Sequence, residues 1–197
     1  NAINYATENG TTVFAASGND NASTVSYPAN YDNCISVGAL SPCNERKDYS
    51  SCDNENFWGS NYGNGLDFVA PGVRIHTTSN NGGYTATFNG TSSACPNAAG
   101  VAGLVLSLDS ELTPEAVRTI MQISSVDIQN DGYDLETGWG RINAFYALAT
   151  IVGGPEISIA PNEVNVELGI VESHEEMLLV TNTGQMDLSI NIDPFGY

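Results

Sequence analysis

Basic residues are scarce in this chain: five Lys and Arg stand against 23 Asp and Glu among 197 residues, a formal charge of −18. A surface of that sign repels phosphate backbones and anionic lipid, so nucleic acid and membrane are excluded as partners. Long apolar runs are missing as well. No stretch reaches the roughly eighteen uninterrupted apolar residues of a bilayer-crossing helix, and no basic-then-apolar leader is visible. The first residues, Asn1-Ala2-Ile3-Asn4-Tyr5-Ala6, already read as the middle of a helix that ends at Gly10. Closely spaced cysteine pairs are lacking, and neither histidine, His76 nor His174, lies near Cys34, Cys43, Cys52 or Cys95. That spacing excludes a Cys/His metal centre. What the chain does hold is 41% apolar residues, enough core for one medium domain or for a domain and a module.

Thr12 to Ala16, Cys34 to Ala39 and Leu66 to Ala70 are short apolar or β-branched runs bounded by Gly, Pro or Asn, as expected of buried parallel strands. A helix is expected from Ser92 through Leu104, Val105 and Leu108, with Pro96 in its first turn and Gly100 and Gly103 allowing a close neighbour. Another begins at Thr113-Pro114-Glu115, which combines a cap, a proline in the first turn and an acid at the positive end of the dipole. It should turn Val117, Ile120 and Met121 inward. A third follows Gly138-Trp139-Gly140-Arg141 and contains Ile142, Phe145, Tyr146 and Leu148. Strands mixed with helices in this way predict an α/β layered fold with a mainly parallel sheet.

After Gly153-Gly154-Pro155 the pattern changes to period two. Ile157 and Ile159, Val164 to Leu168, Met177 to Val180 and Leu188 to Ile192 read as strands, with a turn at Asn182-Thr183-Gly184. The expected division is 1–153 for the α/β part and 156–197 for an incomplete all-β module, since a sandwich usually needs about seven strands. Such a tail should pair with a neighbouring chain, pack on the first part, or continue beyond the residues given. Cys43 and Cys52 bracket the polar stretch Asn44 to Ser51, which a disulfide would restrain; a pair of free thiols is the alternative. Cys34 and Cys95 read as buried small hydrophobes.

The segment Asn89-Gly90-Thr91-Ser92-Ser93-Ala94-Cys95-Pro96 places a serine among small residues at the mouth of an apolar helix. It resembles the Gly-Thr-Ser-x-Ala-x-Pro signature of subtilisin-like serine peptidases. Upstream, Thr12 to Asp20 resembles the strand and turn by which that family presents its oxyanion-hole asparagine. The resemblance covers about residues 1 to 150 and implies the C-terminal half of a subtilisin-like catalytic domain. It assigns Ser92 as nucleophile and Asn19 as oxyanion donor, roles that acyl transfer requires because a tetrahedral intermediate carries a developing negative oxygen. Taken alone, Ser92 would read as a helix cap and Asn19 as a turn residue.

The same matching implies that Ala16, Ser17 and Gly18 form one wall of the primary specificity pocket, and Ser26, Tyr27 and Pro28 the other. It also places the carbonyls of Ala29, Tyr31 and Cys34 with the Asp67 carboxylate where some members hold calcium or sodium, an expected structural cofactor. Ser93 and Asn97 stand where the family often has methionine and histidine. In this family the triad runs Asp, His, Ser, so His76 and His174 do not serve as base. The acid and base are expected in sequence preceding Asn1, and that missing N-terminal half is the implied partner. The reading is a secreted serine endopeptidase cleaving peptide or protein substrates, of which this chain is a fragment or one chain of a nicked enzyme. A catalytically silent scaffold and an extracellular assembly subunit remain as alternatives.

Overall fold

The β-branched and apolar runs form a parallel sheet whose middle strand buries both faces. In the computed structural model, which describes residues 2–80, 82–153, 157–160 and 179–182, helix α1 (Ala2–Glu8) leads into strand β1 (Phe14–Ala16). Strands β2 (Ile35–Leu40) and β3 (Phe68–Pro71) follow, and the three pair in parallel in the order β1-β2-β3. Registers are Phe14 opposite Ile35 and Val37 opposite Phe68. Every residue of β2 is buried. Val25, Ala29, Leu40, Leu66, Val69 and Ile128 pack into one cluster beside it, joined by Ala15 and Val126.

The two edges of this sheet differ. The outer edge of β3 is covered, because Val69 N donates to Gly140 O at 3.0 Å and Ile142 N to Val69 O at 3.2 Å. Ile142 therefore lies in an extended segment ahead of helix α4 (Ala144–Val152), not inside it as its apolar neighbours suggest. β1 pairs only with β2 among the described residues, and its side chains are half-buried.

Between β3 and the first long helix lies an antiparallel hairpin, β4 (Ile75–Thr78) with β5 (Tyr84–Phe88), which the sequence pattern did not signal. Helix α2 (Thr91–Leu108) then packs over all three strands of the sheet. Its buried residues are Thr91, Ser93, Ala94, Ala98, Ala102 and Val105; from Ala94 on they recur at helical spacing and are small enough to let it lie close. Gly100 and Gly103 are exposed instead, and a Cβ on either would meet nothing within 4 Å. Pro96 sits beyond the first turn, where it withholds the N–H that Ser92 O would otherwise accept. Helix α3 (Pro114–Ser124) starts as its cap pattern requires: Thr113 Oγ1 accepts from Ala116 N at 3.2 Å, and Val117 and Met121 are buried while Ile120 is half-buried.

Two units divide the chain, Asn1–Leu148 and Ala149–Tyr197. In the second, β6 (Ile157–Ala160) and β7 (Leu179–Asn182) pair antiparallel, Ile159 opposite Val180. The strands expected at Val164 to Leu168 and Leu188 to Ile192 lie outside the described residues, as does His174. No helix among the described residues is long and apolar enough to cross a membrane.

Candidate active site

Ser92 is exposed in the first turn of α2. A helix start leaves its first N–H groups without intrahelical partners, and here a partner comes from the turn that follows β1. Thr91 N and Thr91 Oγ1 both donate to Asn19 Oδ1, at 2.9 and 3.0 Å. The hydroxyl of Thr91 in turn accepts from Gly18 N at 3.3 Å. Because a backbone N–H can only donate, these bonds fix which end of the Asn19 amide is the oxygen. Asn19 Nδ2 has no hydrogen-bond partner among the described residues and remains available as a donor. The helix N-terminus adds the Ser92 N–H, which has no hydrogen-bond partner among the described residues, and a positive dipole end.

The turn before Ser92 needs glycine. Gly90 has φ of 107°, and a Cβ there would approach the Asn19 amide at 3.3 Å. Ser93, buried beside the exposed serine, donates to Gly90 O at 2.8 Å and lies 3.2 Å from Gly72 O. It ties the turn to the end of β3, a task the sequence reading did not give it. Cys95 is half-buried and its thiol is pushed up by that burial.

Ser17, Gly18 and Ser26 are brought together: Ser26 N donates to Ser17 O at 2.9 Å. Asn61 does most of this work. It is 1% exposed, its N donates to Gly18 O, its carbonyl accepts from Ser17 Oγ, and its Nδ2 reaches Ser26 Oγ at 3.1 Å. Its Oδ1 also holds the N–H groups of Asp20 and Ala22. Nothing in the sequence distinguishes this asparagine from its polar neighbours; only the fold brings 17–26 against 61. Ala16 is half-buried at the end of β1, and Tyr27 is exposed, precedes Pro28 through a cis peptide bond and leans on Tyr31 with ring centroids 4.7 Å apart.

Ala29, Tyr31, Cys34 and Asp67 line one cavity of about 230 Å³ together with Arg118. The guanidinium reaches two of these four groups. Arg118 Nη1 lies 3.5 Å from Asp67 Oδ1, and Nη2 is 3.0 Å from both Cys34 O and Asp32 O. Asp67 Oδ2 accepts from Ser36 N at 2.8 Å, and Tyr31 O accepts from Cys34 N. Burial raises the Asp67 carboxyl even so, with Arg118 opposing it. A fixed cation thus already partners the carboxylate of this donor set. Burial also pushes the Cys34 thiol up to about 11.

Cys43 and Cys52 are bonded to each other. The loop they close has a polar interior. Lys47, fully buried, lies 3.3 Å from Asp53 Oδ1 and donates to Asp48 O, Glu55 O and Ser51 Oγ. Arg46 reaches Glu136, Asn21 and Ser60 O and stacks over Tyr62. Glu55 is the link to the serine turn: its Oε2 accepts from Asn89 Nδ2 at 2.6 Å and Trp58 Nε1 at 3.0 Å, its Oε1 from Arg74 Nε at 3.1 Å. Burial opposes ionisation of Glu55, but these donors outweigh it and hold its carboxyl below the ordinary value. His76 lies in β4, stacked on Tyr84.

The Subtilase family of peptidases (Peptidase S8) matches residues 1–140. The chain is 39% identical over 143 residues to alkaline elastase YaB of a Bacillus strain, covering 73% of this chain and 34% of that protein. M-protease of Shouchella clausii is 40% identical over 144 residues (73% and 32%), and subtilisin BL of Lederbergia lenta 47% over 104 residues (53% and 35%). The chain thus spans about a third of the length of these curated relatives. Among solved structures, the prenylagaramide maturation protease PagA is similar with a TM-score of 0.63 at 29% identity, covering 77% of this chain and 55% of that one.

Proposed function

The chain belongs to the subtilase family, and we propose that it is the nucleophile-bearing part of a secreted serine endopeptidase. Ser92 Oγ attacks the carbonyl carbon of a scissile peptide bond. Its proton passes to a histidine supplied by sequence that precedes this chain, and the carbonyl oxygen becomes an oxyanion. Asn19 Nδ2 and the Ser92 N–H donate to that oxygen; collapse of the intermediate then expels the amine, which takes the proton. Ala16 to Gly18 and Ser26 to Pro28 receive the substrate residue on the acyl side. One observation carries the reading: the oxygen of Asn19 accepts from Thr91 N and Oγ1 while its nitrogen has no partner among the described residues, and Thr91 is followed by an exposed Ser92.

The half that carries base and acid would add strands beside β1. Among the described residues that edge pairs on one side only, whereas the opposite edge of the sheet is covered by 140–142. Secretion is supported by the Cys43–Cys52 bond, which persists in oxidising compartments. The second unit is proposed as a separate module that can pair strands with a neighbouring chain.

Asn19→Asp separates the two uses of that side chain, because it keeps the acceptor for Thr91 and loses the donor. In protein carrying the complementary half, kcat should fall by about 10²–10³, the range measured for such a donor in a subtilisin, with little change in KM or thermal stability. An undiminished kcat would return Asn19 to the role of a helix cap alone.

A further inference from the structure

The proposed oxyanion donor stands on a segment that burial does not fix. Strand β1 ends at Ala16, and Asn19 and Asp20 are exposed. Residues 18–22 are pinned instead by the segment 59–62. Asn61 N donates to Gly18 O at 2.9 Å, Gly59 N to Asn19 O at 3.4 Å, Asn21 N to Gly59 O at 2.9 Å and Tyr62 N to Ala22 O at 3.0 Å. The N–H groups on either side of Asn21, those of Asp20 and Ala22, both donate to one side-chain atom, Asn61 Oδ1, at 2.9 and 3.0 Å. Because a backbone N–H can only donate, the oxygen of this amide faces those two groups and its nitrogen faces Ser26 Oγ, 3.1 Å away. The side chain is 1% exposed and fills the space that Gly18, with φ of 111°, leaves open, where a Cβ would collide with Asn61 Nδ2.

Asn61 therefore spans both parts of the proposed site. Thr91 holds the tip of the Asn19 side chain, but the direction from which that side chain arrives is set by its backbone, which 59–61 hold. An oxyanion donor acts only where it is aimed at the developing charge, and a displacement of about 1 Å forfeits much of its effect. We propose that Asn61 is a positioning residue with two separable effects. Through Oδ1 it aims Asn19 Nδ2 at the transition state, and through Nδ2 it sets the Ser26 wall against which substrate binds. The inference rests on the peptidase reading above.

The test uses protein with the complementary half present and a double-mutant cycle with Asn19. Asn61→Leu, a side chain of the same branching, removes both ends of the amide and should lower kcat by about 10- to 100-fold, the scale of a misplaced group. In an Asn19→Asp background, where the donor is already gone, the same substitution should lower kcat by less than about threefold, because it acts through that donor. Asn61→Asp keeps the acceptor for Asp20 and Ala22 and loses the donor to Ser26; it should recover most of kcat and raise KM. Equal kcat losses from Asn61→Leu with and without Asn19→Asp overturn the proposal, by showing that Asn61 supports the fold in general. An Asn61→Leu variant with undiminished kcat overturns it too. If Asn61→Leu does not fold, Asn61→Asp decides alone: a rise in KM with kcat within about threefold supports the proposal, and a fall in kcat with KM unmoved defeats it. No hydrolysis by the wild type contradicts the peptidase reading itself, and full kcat in Asn19→Asp removes the donor; the role of Asn61 falls with either.

Discussion

The sheet and the disulfide-closed loop are held together in opposite ways. In the sheet, β2 is buried along its whole length, and Phe68, Val69 and Val37 fill space with no polar atom to satisfy. In the loop, the largest fully buried side chain is Lys47, matched by Asp53 and a set of backbone carbonyls. Apolar packing is non-directional and tolerates exchange of like volumes. A buried charge is different, because its partner cannot be removed without leaving the other uncompensated. The contrast suits their tasks: the sheet only has to carry α2 and the Ser92 turn, whereas the loop has to hold Glu55 and its bonds to Asn89 and Trp58 in one place.

The largest effect should come from Lys47→Met, a change of similar volume that strands Asp53. It should destabilise the protein by about 3–5 kcal/mol in urea unfolding, and Lys47→Met with Asp53→Leu should recover part of that. A single-variant loss below about 1 kcal/mol would show that the loop interior is wetter than the geometry indicates. Opening the disulfide with Cys43→Ser and Cys52→Ser should cost about 2.5 kcal/mol by loop-closure entropy. Amide exchange should rise in 43–58 and stay slow in β2; faster exchange in β2 would mean that the two regions are not independent.

Legibility in the sequence follows the same division. The three parallel strands, the Thr113 cap and the Ser92 turn were visible because runs, periodicity and caps are local signals. Ile142 was misplaced into a helix because apolar character alone cannot tell a helical residue from one bonded along a sheet edge. Arg118, the cation beside Asp67, could not be found by matching carbonyls and a carboxylate to an ion site, since its position depends on how α3 docks. Lys47 and Asn61 were missed for a shared reason: charged and amide side chains usually face water, and only contacts distant in sequence bury these two.

A smaller effect is expected from Met121→Leu, a volume-conserving exchange in the apolar core, which should cost less than about 1.5 kcal/mol. A loss as large as that of Lys47→Met would erase the contrast between the regions. The smallest concerns pH. The folded-state value of Glu55 lies below its ordinary unfolded value, near 4.3. Its stabilisation is therefore full above that value and lost as pH falls through the lowered folded one. Thermal melting of the wild type should drop more steeply below about pH 4 than that of Glu55→Gln, and parallel curves would remove Glu55 from the account.

The most direct measurement is active-site labelling with a fluorophosphonate, read by mass spectrometry. Oxyanion donors without a base leave the serine hydroxyl unreactive. The 197-residue chain alone should therefore stay unlabelled, and protein with the complementary half restored should be labelled at Ser92, with no label in Ser92→Ala. Labelling of Ser92 in the chain alone, or of another residue in the restored protein, would contradict the claim that this chain supplies the nucleophile and borrows the base.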